Sequence, residues 1–240
     1  NQDHTKSLAL TYQLNYSPAK TEMTNNFNVV SDYIDLTDRY SDNKNNTTSH
    51  TFQVDYTTPF AKHHTIETGL KYILRNNTSE DDRYEMDVMD YEHSSHYKHR
   101  NDILAAYLGY GLKIKKLSGR LGLRYEHTLQ DVEYKLGPGT DFSQHFNDLV
   151  PSASLGLKLG QTTNLRLGYH MRIYRPSIWY LNPYLDDSTP TNINQGNPNL
   201  DSEKSHNISF TFSKFTPKFN INLTTQYTFT NNSIENVVKT

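Results

Sequence analysis

The stretch Asn164-Leu165-Arg166-Leu167-Gly168-Tyr169-His170-Met171-Arg172-Ile173 alternates without a break between two kinds of side chain. Leu165, Leu167, Tyr169, Met171 and Ile173 fall on one parity, and Asn164, Arg166, Gly168, His170 and Arg172 on the other. Successive side chains of an extended chain point to opposite faces, so this is a strand with one apolar and one polar face. A helix would need apolar residues three and four apart, and no sustained stretch of that kind occurs in the sequence.

Eight further stretches behave in the same way: Leu8 to Tyr16, Phe52 to Tyr56, Ile66 to Leu74, Ala106 to Leu112, Leu121 to Tyr125, Ala153 to Leu159, Ile208 to Phe212 and Phe219 to Phe229. Ile73 breaks the rule in the third of these. The polar parity carries Arg, Lys, Glu, Asp and Gly. The apolar parity carries aliphatics, with Tyr or Phe towards the strand ends. Strands of a transmembrane barrel have this pattern: apolar towards lipid, polar towards a wet lumen, aromatic at the two interfaces. Several stretches reach the roughly 9–11 residues that a tilted strand needs to cross a bilayer.

A soluble antiparallel sheet with one wet face also alternates, so the connections must discriminate. About thirty polar residues separate the first two stretches, then a short link, Thr57 to His64, joins the second to the third. An acidic connection follows through Glu80, Asp81, Asp82, Asp90 and Glu92, and then a short one at Lys115 to Ser118. The rhythm repeats: long from Asp131 to Asp148, short from Gly160 to Thr163, long from Tyr174 to Lys204, short from Ser213 to Lys218. Connections above roughly 12–15 residues are uncommon in compact soluble domains, whereas barrels combine short periplasmic turns with long outer loops. The first, third, fifth, seventh and ninth strands then run outward.

Composition is consistent with that reading. The 240 residues include 34% hydrophobic ones and mean hydropathy is -0.80, lean for a soluble core of this size. Aromatic residues make up 12%, which argues against simple disorder. There is no Cys, hence no disulfide framework, thiolate metal site or cysteine nucleophile. Twenty-four basic against 26 acidic residues give no electrostatic reason to expect nucleic acid as a partner. Bacterial single-chain barrels have an even strand count, so nine strands predict an all-β, antiparallel transmembrane β-barrel that is partial: about nine strands of a larger barrel. At about 27 residues per strand with its connection, a 22-stranded plugged barrel would need roughly 590.

The segment Arg172 to Tyr184, containing Arg175-Pro176-Ser177 and Leu181-Asn182-Pro183-Tyr184, is followed by Gly196-Asn197-Pro198-Asn199-Leu200 and Glu203. Upstream lie Gly122-Leu123-Arg124-Tyr125-Glu126 and Asn147-Asp148-Leu149-Val150-Pro151-Ser152. This ordered set resembles the signature of the TonB-dependent-receptor-like outer-membrane β-barrel proteins of Bacteroidota. The resemblance implies a bacterial outer-membrane receptor, with residues 1–240 a portion of the barrel domain that does not include the plug. It further implies uptake of a glycan, peptide or metal chelate. Its implied partners are outer-membrane lipid, a plug domain with the TonB complex, and a surface lipoprotein. Two other readings stay open: an outer-membrane barrel with a structural or assembly role, and a soluble secreted β-rich protein that binds glycans.

Ligand contacts are expected where aromatics gather in the outer connections: Tyr84, Tyr91 and Tyr97 in one, Tyr174, Trp179, Tyr180 and Tyr184 in another. Such rings stack on sugars or peptide side chains while Asn and Asp neighbours hydrogen-bond. Arg120, Arg124, Arg166, His170 and Arg172 share the polar parity of neighbouring strands and are expected to line the lumen, facing a plug or an anionic substrate. The prolines of the motif stiffen its loop, and folding that loop is a simpler role for Arg175, Pro176, Leu181, Asn182, Pro183, Gly196, Asn197, Pro198 and Glu203 than touching a ligand. His93, His96 and His99 recur every third residue, a spacing that throws successive rings to opposite sides of a strand, so no metal site is expected there. No nucleophile elbow, phosphate loop or metalloprotease motif is present, and neither a catalytic role nor a cofactor is expected.

Overall fold

The computed structural model describes residues 6–26, 38–137, 139–183, 185–186 and 194–238. In chain order the elements are β1 (Ser7–Asn25), β2 (Arg39–Ala61), β3 (His64–Glu85), β4 (Val88–Met89), β5 (Ser95–Ile114), β6 (Leu117–Leu136), β7 (Phe142–Lys158), β8 (Thr163–Tyr174), α1 (Ile178–Leu181), β9 (Leu185–Asp186), β10 (Asn194–Gln195), β11 (Glu203–Phe215) and β12 (Asn220–Asn231). One antiparallel sheet runs β1-β2-β3-β5-β6-β7-β8-β11-β12, each long strand pairing with its neighbour in sequence; the two-residue β4 only extends β3. The nine alternating stretches are these nine long strands, in order.

The sheet is open. Every residue of β1 and of β12 is exposed, because each has a neighbour on one side only. The strands are also staggered. The row Ile66, Tyr110, Leu121, Ala153, Tyr169, Ile208, Tyr227 crosses seven strands residue against residue. Ile66 sits 2 residues past the start of β3, whereas Tyr227 sits 7 past the start of β12. A stagger that grows across the sheet is the register of tilted barrel strands.

The outer face is an apolar band. Leu10, Val54, Leu70, Ala106, Tyr125 and Leu149 form one row across β1 to β7. Leu10, Leu70, Leu108, Leu121 and Leu223 are 57–74% exposed, which water would not tolerate over so wide a surface. Lipid removes that penalty. Aromatics border the band, with Tyr12 against Phe52 at 5.0 Å between ring centroids and Phe60 against His64 at 5.4 Å.

The outer connections differ from the sequence-based expectation. Of the thirty polar residues after Tyr16, those through Asn25 continue β1 and those from Arg39 onward already belong to β2. Glu80, Asp81, Asp82 and Tyr84 lie in β3, and Tyr97 in β5, so these are hairpin residues rather than loop residues. The connection expected from Asp131 to Asp148 narrows to the few residues between Leu136 and Phe142. The reason is solvation. Above the lipid both faces of the sheet meet water, so the ladder continues while the apolar alternation that betrays it stops. At about 3.3 Å per residue, the stretch from Arg39 to Ser49 carries β2 roughly 35 Å past the band.

Candidate functional site

The inner face holds a chain of polar contacts that crosses five strands. At one level stand Asp55 of β2, Gly69 of β3, Tyr107 of β5 and Arg124 of β6, residue against residue. The Tyr107 hydroxyl donates to Asp55 across Gly69, and Gln53 Nε2 donates to the same carboxylate at 2.8 Å. Gly69 is required for this crossing: a Cβ there would lie 2.3 Å from the Tyr107 hydroxyl oxygen and 2.5 Å from the Val54 carbonyl. On the other side of Tyr107 the Arg124 guanidinium stands 6.0 Å from the ring centroid, at the limit of a cation–π contact. Arg124 then donates to Glu126 at 2.5 Å. One level lower, Arg120 of β6 reaches Glu67 of β3, and β5 offers only Gly109 and Gly111 in the way.

From Glu126 the chain of contacts passes to the motif. Arg175 donates to Glu126 at 2.5 Å and stands 3.7 Å from Asp148, whose side chain is fully buried. Ser202 Oγ donates to Asp148 at 2.9 Å, and Lys204 Nζ lies 4.0 Å from it. Arg175 and Ser202 thus pin both ends of the segment between β8 and β11 to the inner wall. Further contacts hold its middle. Asn182 Nδ2 donates to the Tyr134 hydroxyl at 3.1 Å, and Gln144 Nε2 donates to the Pro198 carbonyl at 2.7 Å. Pro176 and Leu181 of the segment are buried, as are Val132 and Phe146, whose register faces the lumen. The segment folds inward over β6 and β7 instead of standing as an outer loop.

Its two halves close on each other through the backbone. Gly196 N–H donates to the Asn182 carbonyl at 2.9 Å, and Asn197 N–H to the Tyr180 carbonyl at 2.7 Å. A Cβ on Gly196 would lie 2.4 Å and 2.7 Å from those same carbonyl oxygens. Gly196→Ala is therefore expected to cost about 1–3 kcal/mol and to release the segment. Limited proteolysis between Asn182 and Asn197 should accelerate, while cleavage elsewhere stays unchanged.

Above the pinned Arg175, the segment borders a cavity of about 550 Å³ whose walls include Arg75, Asn77, His99, Asn101, Gln130 and Ile178. That volume and its convergent polar groups suit a small molecule. His99 is half-buried here, with Nδ1 3.3 Å from Asn77 Nδ2. Burial, and then the nearby Arg75 charge, hold its pKa below the ordinary 6.5, against a smaller opposing pull from Asp131. The unfolded chain then takes up this proton before the folded one, so stability falls as pH drops below about 6.5 and levels off once the folded imidazole also protonates. His99→Gln is expected to flatten the denaturation midpoint over that window.

The expected aromatic contacts are dispersed. Tyr91 and Trp179 are well exposed, Tyr84 packs tilted against Tyr40 at 5.8 Å between ring centroids, and Tyr97 against Tyr134 at 5.6 Å. Tyr174 closes β8, Tyr180 supplies the carbonyl that holds Asn197, and Tyr184 lies outside the described residues. Of the inner-wall cations, Arg120 and Arg124 are paired with carboxylates, while Arg166 and Arg172 are exposed on β8 and His170 is half-exposed beside them. The stripe is thus neutralised over β6. Glu67 and Glu126 share the lumen parity of Arg120 and Arg124, and that was the available signal for the pairing. His93 turns to Asp90, His96 to Asp82 and His99 to Asn77, each ring to its own partner.

An open, staggered sheet with a lipid band outside and a polar network inside is a piece of barrel wall. A model of the outer membrane protein beta-barrel family matches residues 1–240. The chain belongs to that family. It is a segment of a bacterial outer-membrane barrel, and the inward-folded segment is part of how this member of the outer membrane protein beta-barrel family lines its lumen. Similar solved structures include the ferric yersiniabactin uptake receptor FyuA from Yersinia pestis (TM-score 0.65, 14% identity, 93% of this chain and 33% of that one). The copper transporter OprC gives 0.63 at 14% identity over 92% of this chain and 36% of that one. The alcaligin outer-membrane receptor FauA from Bordetella pertussis gives 0.58 at 16% identity over 99% of this chain and 43% of that one. At such identities the likeness is one of fold, and the chain spans well under half the length of these receptors. No curated protein matches the chain.

Proposed function

We propose that this family barrel segment belongs to a receptor that takes up a nutrient across the outer membrane, energised through TonB, with the plug supplied by residues outside this chain. The observation that carries the reading is the polar cavity between the inward-folded segment and the lumen-parity residues Asn45 and Thr47 of β2, Arg75 and Asn77 of β3, and His99 and Asn101 of β5. A wall built to receive solute needs such a surface, whereas a purely structural barrel does not. The walls combine amides with Arg75, Arg175 and the His99 imidazole, a set that can hydrogen-bond a glycan or a peptide and can also meet a metal chelate. The Arg175 to Leu200 motif supports a source among the Bacteroidota and a surface lipoprotein as partner. Catalysis forms no part of the reading.

The test uses the full-length gene in its own host. A deletion strain should lose growth on one nutrient class, the loss should be reproduced by deleting TonB, and a wild-type copy should restore it. Uptake that persists without TonB would overturn the energised reading. A deletion with no nutrient phenotype but with disturbed outer-membrane assembly would favour the structural role.

A further inference from the structure

The two ends of the wall differ sharply in charge. The four short turns and their flanks, residues 57–66, 111–119, 157–165 and 213–222, contain no Asp or Glu. They do contain lysines in every case. Lys62 follows β2, Lys115 and Lys116 form the turn between β5 and β6, Lys158 ends β7, and Lys214 and Lys218 flank the turn between β11 and β12. None of these six takes part in an ion pair among the described residues. At the opposite end Lys20, Lys44 and Lys135 are each paired, with Glu22 and Asp42, with Asp42, and with Glu133.

Each lysine turn also carries an exposed apolar residue. Phe60 is 62% exposed, Ile114 39%, Leu159 54% and Phe219 48%. Lys214 Nζ stands 5.8 Å from the Phe219 ring centroid, and Lys214 shares the lipid-facing parity of Ile208, Phe210 and Phe212. An apolar anchor beside an unpaired ammonium, repeated at four separate turns, is the arrangement that sits at a lipid interface: the body enters the acyl boundary and the charge reaches up to the phosphates. Short turns face the periplasm in barrels of this kind, so the lipid at that level is the inner leaflet of the outer membrane. Neutral headgroups would leave the charge uncompensated.

We propose that the short-turn rim is a binding surface for the phosphate headgroups of anionic phospholipids in that leaflet. The rim selects lipid by charge, and the apolar anchors fix the depth at which it does so.

The test uses the full-length receptor reconstituted in nanodiscs of phosphatidylethanolamine with equimolar phosphatidylglycerol, then released into mild detergent so that native mass spectrometry counts the retained lipids. Unaltered protein is expected to retain phosphatidylglycerol over phosphatidylethanolamine by about threefold or more, with the preference fading in high salt. Combining Lys62→Gln, Lys115→Gln, Lys116→Gln and Lys218→Gln should abolish the preference. Lys20→Gln with Lys44→Gln, at the other end, should leave it intact. All these positions are surface ones, and unchanged heat-modifiable migration on a gel establishes that each variant has folded. A quadruple variant that keeps the preference overturns the proposal. So does unaltered protein that shows no preference, including the case where the rim instead captures an acidic periplasmic protein in a lysine-dependent way.

Discussion

Arg175→Ala is expected to destabilise the barrel by about 3–5 kcal/mol, the usual cost of removing one partner from a buried ion pair. Arg175 and Glu126 are only 16% and 12% exposed, and Asp148 is wholly buried. With the guanidinium gone, Asp148 retains only Ser202 and a distant Lys204, in a site where an uncompensated carboxylate is costly. The segment would also lose its first anchor on the wall. In the full-length protein, the urea midpoint for loss of heat-modifiable migration should fall, and the change should be partly restored by adding Asp148→Asn, which removes the stranded charge, whereas Glu126 keeps Arg124 as its partner. Arg175→Ala with an unchanged midpoint would show that the pair contributes nothing net.

Leu70→Arg is the second large effect. Leu70 lies midway along the lipid-facing stretch of β3, between Val54 and Ala106, and is 57% exposed to what the membrane fills. A cation at mid-bilayer on a barrel's lipid face costs about 2–4 kcal/mol. The adjacent Lys71 already carries a charge, and it does so without penalty because its register faces the lumen, opposite Gln53 and Ala105. Folding yield of the full-length protein into lipid vesicles should therefore drop for Leu70→Arg and hold for Lys71→Arg. Equal yields would mean that the faces are assigned the wrong way round.

The contrast between Leu70 and Lys71 also marks what the sequence could reveal. Where lipid lies on one side and water on the other, every second residue is constrained, and strands such as Leu165 to Ile173 are legible from their side chains alone. Residues 39–49 obey no such constraint, although they are as firmly paired as any others, so in the sequence their strand looks like a polar connection. The inward segment was hidden for a different reason. The proline- and glycine-rich motif could be recognised as a folding unit, but its anchor, Glu126, lies 49 residues from Arg175, and nothing local in the sequence specifies which wall a loop will fold against. Gly69 is similar. It reads as a weak point in a strand, and only the register shows that Tyr107 fills the gap.

The hairpins that continue past the lipid change how a solute would be captured. A flexible loop must lose about 1–2 kcal/mol of backbone entropy for each residue it orders around a ligand. In β2, β3, β5 and β6 that loss has already been met by the ladder, which runs out to Arg39 opposite Glu85, Asp81 opposite Ser95 and His96 opposite Leu136. On the proposed receptor reading, recognition on this wall would be a docking event onto a formed surface. Its selectivity would then come from shape that exists before the solute arrives.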